Sequence, residues 1–429
     1  MNIKLKLAHS LKGTAQVPGD KSISHRALMF GAIADGETRI QNLLQSRDVL
    51  STKKCLEQLG AKITQEKNEF VVHGHGKYSF ETPTSTLDCE NSGTSMRLLM
   101  GLIAGQNVKA TLVGDASLMK RPMSRIAEPL ETMGAQIRLA PGGFAPVQIL
   151  LLNQQKLIAA HYDLKIASAQ LKSALLLAAL YADGVTKLTG KIHSRDHTER
   201  MLLSFGVKLS ASANEIQMEG GQKLQATSLQ VPGDPSSAAF WLAAATLVPH
   251  SEIEIQNVSL NPTRTGFLKV LIRMGARIES FEVPGHNEPI GHLRASSAPL
   301  KGTEVLESEV ASLIDEIPLL AVVATQATGV TTVRGARELR VKESDRIETL
   351  ALNLRRMGAI IETFDDGFRI EGPQRLHAAK IDSSHDHRIA MSFSIAALIA
   401  QGESEICGVD SVGISYPEFY SVLAKLLKD

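Results

Sequence analysis

VPGDKSISHRAL (17–28) and VPGDPSSAAFWL (231–242) are two copies of one start, a Pro-Gly-Asp turn running into a helix of small and apolar residues, and they lie half the chain apart. The chain therefore reads as two halves of one design. Within the halves the helix recurs with a turn and a β-rich run behind it: ALMFGAIADGETRIQ (27–41), LLMGLIAGQNVKATLVG (98–114), ALLLAALYADGVTKLTG (174–190), AAFWLAAATLVPHSEIEIQ (238–256), PLLAVVATQATGVTTVRG (318–335) and AMSFSIAALIAQGESEICG (390–408). Between these copies lies an amphipathic helix that closes on glycine and leads to a strand: LEQLGAKI (56–63), LETMGAQI (130–137), LLSFGVKL (202–209), VLIRMGARI (270–278) and LRRMGAII (354–361). Glycine suits that place because the residue after a helix turns to positive φ. The sixth such helix, in YPEFYSVLAKLLKD, has no strand after it, and residues 3–8 are expected to supply one.

A period of this kind marks a repeated supersecondary unit. The expected fold class is α/β, with two pseudo-symmetric domains of three β-α-β-α-β-β units each. Residues 1–18 plus 232–429 form one domain, with both ends of the chain in it, and residues 19–231 form the other. Helices such as LLLAALY and AFWLAAATL are apolar on almost every side, which places them inside with the sheets outside. The active site is expected in the interdomain cleft, with closure on binding.

Composition narrows the function. Forty-six Lys and Arg against 45 Asp and Glu leave a net charge of +1, so no global field attracts nucleic acid or an anionic membrane. Any cationic site must be local. Cys55, Cys89 and Cys407 are far apart and odd in number, without metal-ligand or disulfide spacing, which suggests a reducing cytoplasm. The opening MNIKLKLAHSLKG alternates like a strand, and no apolar stretch is long enough to span a bilayer. Gly74-His75-Gly76 reads as a hairpin, since it lacks the setting of a dinucleotide loop.

Helix starts offer unpaired N–H groups and the positive end of a dipole, which suits phosphate or carboxylate. Several starts here add chemistry: Lys21, Ser22 and Arg26; Asn91, Gly93 and Thr94; Lys120 and Arg121 ahead of a helix opened by Pro122; Ser168, Ala169 and Gln170. The second half supplies Asp315, the charged run Arg340–Arg346, and Arg388. Each alone fits a helix cap or a solvated surface. Together they recur at matching places in the repeats.

In order along nearly the whole chain, PGDKSISHRAL, ENSGTSMRLL, MKRPM, SAQLKSALLLAAL, SRDHTERML, RVKESDRI, DHRIAMSFSIAAL and SYPEF resemble the motifs of the 5-enolpyruvylshikimate-3-phosphate synthase family. That resemblance implies the enolpyruvyl transferase-like inverse α/β barrel. It also implies a monomer that joins shikimate 3-phosphate to phosphoenolpyruvate with release of phosphate, without metal or cofactor and without nucleic-acid or membrane partners. It assigns Lys21, Ser22, Arg26, Ser168, Ala169, Gln170, Arg195, Asp315 and Lys342 to shikimate 3-phosphate. It assigns Lys21, Asn91, Gly93, Thr94, Arg121, Gln170, Arg346 and Arg388 to phosphoenolpyruvate. Asp315 and Glu343, with Lys342 and Lys21, become the catalytic groups, Asp315 as proton acceptor and Glu343 as partner at the methylene carbon. Glyphosate inhibition is implied as well, since Gly93 is glycine where tolerant members carry alanine.

Two positions depart from the pattern: Ile414 stands where some members have lysine, and Ala169 where others have a second serine. The chemistry needs what the motifs supply. Planar Arg forks match phosphate and carboxylate, and the reaction needs a base at the hydroxyl and an acid at the methylene carbon. Two other readings compete: a UDP-N-acetylglucosamine enolpyruvyl transferase, and an RNA-end-modifying protein of related fold. Against the first, the loop GDASLMKRPM has no cysteine and Ser22 follows Lys21; against the second, charge is balanced and aromatics are sparse.

Overall fold

In the computed structural model, residues 1–152, 156–285 and 287–427 are described. The chain divides into two compact units, Met1–Pro18 with Pro232–Asp429, and Gly19–Val231.

One repeat shows the plan of all. Strand Leu87–Asp88 lies parallel to Ala110–Val113, which pairs antiparallel with Phe144–Ile149, itself antiparallel to Ile137–Ala140. Helix Gly93–Ala104 links the first two strands and helix Ser124–Thr132 precedes the last pair. The sheet of strands His161–Leu164, Val185–Gly190, Leu209–Ala211 and Glu215–Glu219 follows the same order, as does the sheet of Glu304–Val305, Gly329–Val333, Glu362–Phe364 and Gly367–Gly372. Two repeats borrow their first strand. Ala34–Gln41 takes Leu224–Gln225 and Ser228–Gln230 as parallel neighbours, and Glu252–Ser259 takes Lys12–Ala15. The sixth sheet is closed by Asn2–Lys6, antiparallel to Glu403–Cys407, so the N-terminal segment supplies the missing strand slightly earlier than the expected 3–8.

The first helix of each repeat is the core. In Pro235–Leu247 every residue from Ser236 to Thr246 is buried, and in Ala169–Ala179 every residue from Leu171 onward. Each fully buried leucine in such a helix contributes roughly 2 kcal/mol. Trp241 donates its indole N–H to the Tyr416 hydroxyl at 2.9 Å and stacks on Phe419 at 4.9 Å, so the SYPEF motif is part of this packing. Ile414 ends the 3-10 turn Val409–Ile414 in the same unit. The five glycines that close the second helices, Gly60, Gly134, Gly206, Gly275 and Gly358, all stand at positive φ between 82° and 104°.

Two expectations change. Pro122 does not open a helix: Leu118–Lys120 is a 3-10 turn, and the following helix begins at Ser124. Gly74 and His75 end strand Glu69–His75 instead of forming a hairpin, because the turn comes earlier, between Glu66 and Glu69.

Candidate active site

Core helices begin with polar caps. Asp20 accepts Ile23 N–H at 2.8 Å, Ser92 accepts Ser95 N–H at 3.1 Å, Ser168 accepts Leu171 N–H at 3.3 Å and Asp386 accepts Arg388 N–H at 2.9 Å. Each cap satisfies one orphan donor and leaves the first turn to carry side-chain chemistry.

In the unit Gly19–Val231, Lys21 and Ser22 open helix Lys21–Ile33, and the Lys21 ammonium pairs with Asp48 of helix Arg47–Gln58. Arg26, little more than a turn further on, is almost fully buried. Its Nε donates to Thr198 Oγ1 at 2.7 Å, Nη1 to the Ser22 carbonyl at 2.9 Å and Nη2 to Ser173 Oγ at 2.6 Å. Arg26 thus ties three helices and fixes the backbone of Ser22. His25 beside it lies 2.7 Å from Thr52 Oγ1, which is 2.6 Å from Ser95 Oγ. Burial, then Lys21 and Arg26, hold the His25 pKa well below its usual value, so the ring is neutral.

Four further predicted residues meet through hydrogen bonds. Arg121 Nη2 donates to Asn91 Oδ1 at 2.7 Å, and Asn91 Nδ2 donates to Asp115 Oδ2 at 2.6 Å. Gln170 Nε2 donates to Thr94 Oγ1 at 3.2 Å, while its Oε1 accepts Arg97 Nη1 at 2.6 Å. Gly93 sits between the two guanidinium groups: a Cβ placed there would stand 3.2 Å from Arg97 Nη1 and 3.5 Å from Arg121 Nη1. Ala169 is the first residue of its helix and offers backbone only. Arg195 precedes helix His197–Ser204 in a loop held by Lys172, whose Nζ donates to the Ile192 and Ser194 carbonyls at 3.2 Å each and pairs with Glu199 at 2.6 Å.

In the other unit Arg346 is the hub. Its Nε lies 2.8 Å from Asp386 Oδ2, its Nη2 2.6 Å from Glu343 Oε2 and its Nη1 3.3 Å from Asp315 Oδ1. Lys342 Nζ is 3.5 Å from the same Asp315 oxygen, and Ser344 Oγ is 3.1 Å from Asp386 Oδ2. Burial opposes the charge on Arg346, but Asp386, Glu343 and Asp315 outweigh it and hold its pKa above the usual range. Asp315 lies in the 3-10 turn Ile314–Glu316, directly before helix Ile317–Ala324. Arg388 is the second residue of helix His387–Ala397; it is 7% exposed, and among the described residues its guanidinium has no hydrogen bond or ion pair.

Five participants escaped the sequence reading. Arg97 carried a signal, a cation directly ahead of the apolar stretch LLMGLIA and one turn past Gly93. Asp386 stands in a quoted motif but reads there only as a cap. Asp48 and the Lys172–Glu199 pair carry no signal, because an acid in an amphipathic helix and a lysine four residues into an apolar one look like surface groups until burial is known.

The sequence model of the family EPSP synthase (3-phosphoshikimate 1-carboxyvinyltransferase) matches residues 5–423. A 3-phosphoshikimate 1-carboxyvinyltransferase of Bacillus cytotoxicus is 46% identical over 418 residues, 97% of this chain and 98% of that protein. One from a Synechococcus species is 48% identical over 433 residues, 99% and 96% of the two chains. Among solved structures, an EPSP synthase from Acinetobacter baumannii superposes with a TM-score of 0.88 at 43% identity, over 99% of this chain and 98% of that one. The enolpyruvyl transferase NikO from Streptomyces tendae superposes at 0.80 with 18% identity, covering 99% and 97%, a likeness of fold alone. With a family match along nearly its whole length and relatives close to half identical, the chain belongs to the EPSP synthase (3-phosphoshikimate 1-carboxyvinyltransferase) family.

Proposed function

We propose that this chain transfers the enolpyruvyl group of phosphoenolpyruvate to the 5-hydroxyl of shikimate 3-phosphate, a step toward chorismate and the aromatic amino acids. The observation that carries the reading is Asp315, a carboxylate 3.5 Å from Lys342 and 3.3 Å from an Arg346 that also holds Glu343. Two carboxylates on one buried cation supply the two proton-handling groups that addition and elimination need.

In this reading Asp315 accepts the 5-hydroxyl proton as that oxygen adds to C2 of phosphoenolpyruvate, and C3 gains a proton from Glu343. The C2–O bond to phosphate then breaks, phosphate leaves, and C3 returns the proton. Lys342 and Asp315 hold the shikimate hydroxyls. Arg346 and Arg388 are assigned to phosphoenolpyruvate, and so are Lys21, Arg121 and Gln170, with Asn91, Gly93 and Thr94 shaping the turn into helix Gly93–Ala104. Arg388 supports this because a nearly buried guanidinium with no partner among the described residues is unfavourable until an anion meets it. Ser22, Arg26, Ser168, Ala169, Gln170 and Arg195 take the shikimate phosphate and ring. Fixed cations stabilise the charge that develops on the departing phosphate.

The finer picture is a cytoplasmic monomer. No helix among the described residues is long and apolar enough to cross a membrane, and Cys55, Cys89 and Cys407 are unbridged thiols. Phosphate release from purified protein with phosphoenolpyruvate, with and without shikimate 3-phosphate and in EDTA, tests the function. Release that requires both substrates and survives EDTA is the expected result. Release with UDP-N-acetylglucosamine in place of shikimate 3-phosphate would overturn it.

A further inference from the structure

The second Pro-Gly-Asp copy has no part in the reading above, yet it holds some of the most deeply buried polar groups of its unit. Asp234 caps helix Pro235–Leu247 through Ser236 N–H at 2.8 Å and accepts Arg264 Nη2 at 3.0 Å. The same Nη2 donates to Ser236 Oγ at 2.8 Å, and the Ser236 hydroxyl donates to Glu316 Oε1. None of the four residues is more than 5% exposed. The bonds have a direction: Arg264, fixed by Asp234, occupies an acceptor position of Ser236 and turns its proton toward Glu316. Where the first copy presents Lys21, the second has Pro235, and its cation is bonded internally.

Glu316 is the neighbour of Asp315 in the turn Ile314–Glu316. We propose that Asp234, Arg264, Ser236 and Glu316 form a positioning chain for Asp315. An anchored Glu316 carboxylate fixes the backbone of the turn and therefore the direction in which the Asp315 carboxylate leaves it, toward Lys342 and Arg346. The second copy of the repeated motif has thus become a support for the base where the first became a ligand site. The inference rests on the enolpyruvyl-transfer reading, in which Asp315 holds and deprotonates the substrate hydroxyl.

The test is steady-state phosphate release by Ser236→Ala, Glu316→Met and Glu316→Gln, beside the wild type and Asp315→Ala, with thermal unfolding of each. Misplacing a reacting group by about 1 Å costs on the order of 100-fold, so Ser236→Ala and Glu316→Met should lower kcat roughly 10- to 100-fold. KM for phosphoenolpyruvate should stay within about twofold, because groups outside this turn bind it. The acidic limb of the pH profile for shikimate 3-phosphate should move, since the setting of Asp315 changes. Glu316→Gln keeps the length and an acceptor oxygen and should recover most of kcat.

A folded Ser236→Ala enzyme with wild-type kcat and an unmoved pH profile overturns the inference. So does a Glu316→Gln enzyme as impaired as Glu316→Met, because the hydrogen bond would then not be what matters. Should Glu316→Met fail to fold, Ser236→Ala and Glu316→Gln decide the matter alone. A wild type that releases no phosphate from the substrate pair sinks the functional reading instead; an active wild type with an inactive Asp315→Ala and a normal Ser236→Ala sinks only the positioning chain.

Discussion

At Gly93 the absence of a side chain keeps a methyl away from two guanidinium groups, those of Arg97 and Arg121. Its place in the helix is ordinary, so Gly93→Ala strains no backbone, but the new methyl would sit 3.2 Å from one guanidinium and 3.5 Å from another. In the proposed reading, phosphoenolpyruvate held by Arg121 beside Gly93 loses that room. Overpacking of one methyl costs about 1–2 kcal/mol, which is roughly a 5- to 30-fold rise in KM for phosphoenolpyruvate, with kcat little changed because no proton-handling group moves. Glyphosate inhibition, measured in the same assay, should weaken in Gly93→Ala. An unchanged KM would mean that the anion does not lie against Gly93. His25 gives a prediction of another kind. Its pKa is lowered in the folded protein by burial, then by Lys21 and Arg26, so the native state binds fewer protons than the unfolded chain below the ordinary value of 6.5. Stability tied to neutral His25 is therefore whole above pH 6.5 and declines as pH falls below it, by up to about 1.4 kcal/mol per pH unit. Urea unfolding at pH 7 and 5.5 should show a shallower loss for His25→Gln than for the wild type; equal losses would mean that His25 is not the group responsible.

At the scale of elements, the repeat carried most of the fold. Helices apolar on every side have no solvent face to offer, so their burial followed from sequence, and closing glycines marked helix ends without any structure. The strand needed by the sixth sheet could be sought at the N-terminus because every other copy had one. Borrowed first strands were harder to foresee: Leu224–Gln225 and Ser228–Gln230 are two and three residues long, too short for a period-two pattern to stand out. Pro122 misled because proline at a helix start and proline in the loop before one look alike in sequence. Candidate site residues were legible where a charged residue stood at the start of an apolar helix, as at Lys21 and Arg388, and where charges crowded into one short run, as at Arg340–Arg346. They were illegible where the informative fact was a partner in a distant segment, as for Asp48 with Lys21 or Asp386 with Arg346, because a single sequence records residue types and not which segments meet.

At the scale of the whole molecule, the order of strands decides which pieces of chain can stand alone. The unit Gly19–Val231 includes the segment that runs parallel to Ala34–Gln41, so all of its sheets are completed by its own residues. The other unit needs both Met1–Pro18 and Pro232–Asp429, because Asn2–Lys6 and Lys12–Ala15 belong to its sheets. A fragment of residues 19–231 should therefore unfold in a single cooperative urea transition. One ending at residue 222 loses the strands beside Ala34–Gln41 together with the buried side chains of Leu224 and Val231. Two fully buried aliphatic side chains are worth at least about 3 kcal/mol, so the shorter fragment should show a markedly lower midpoint or no folded baseline. Neither fragment should release phosphate from the substrate pair, since Asp315, Lys342, Glu343 and Arg346 lie in the other half of the sequence. Equal midpoints for the two fragments would mean that the borrowed strand contributes little, and that the repeat closes on its three remaining strands.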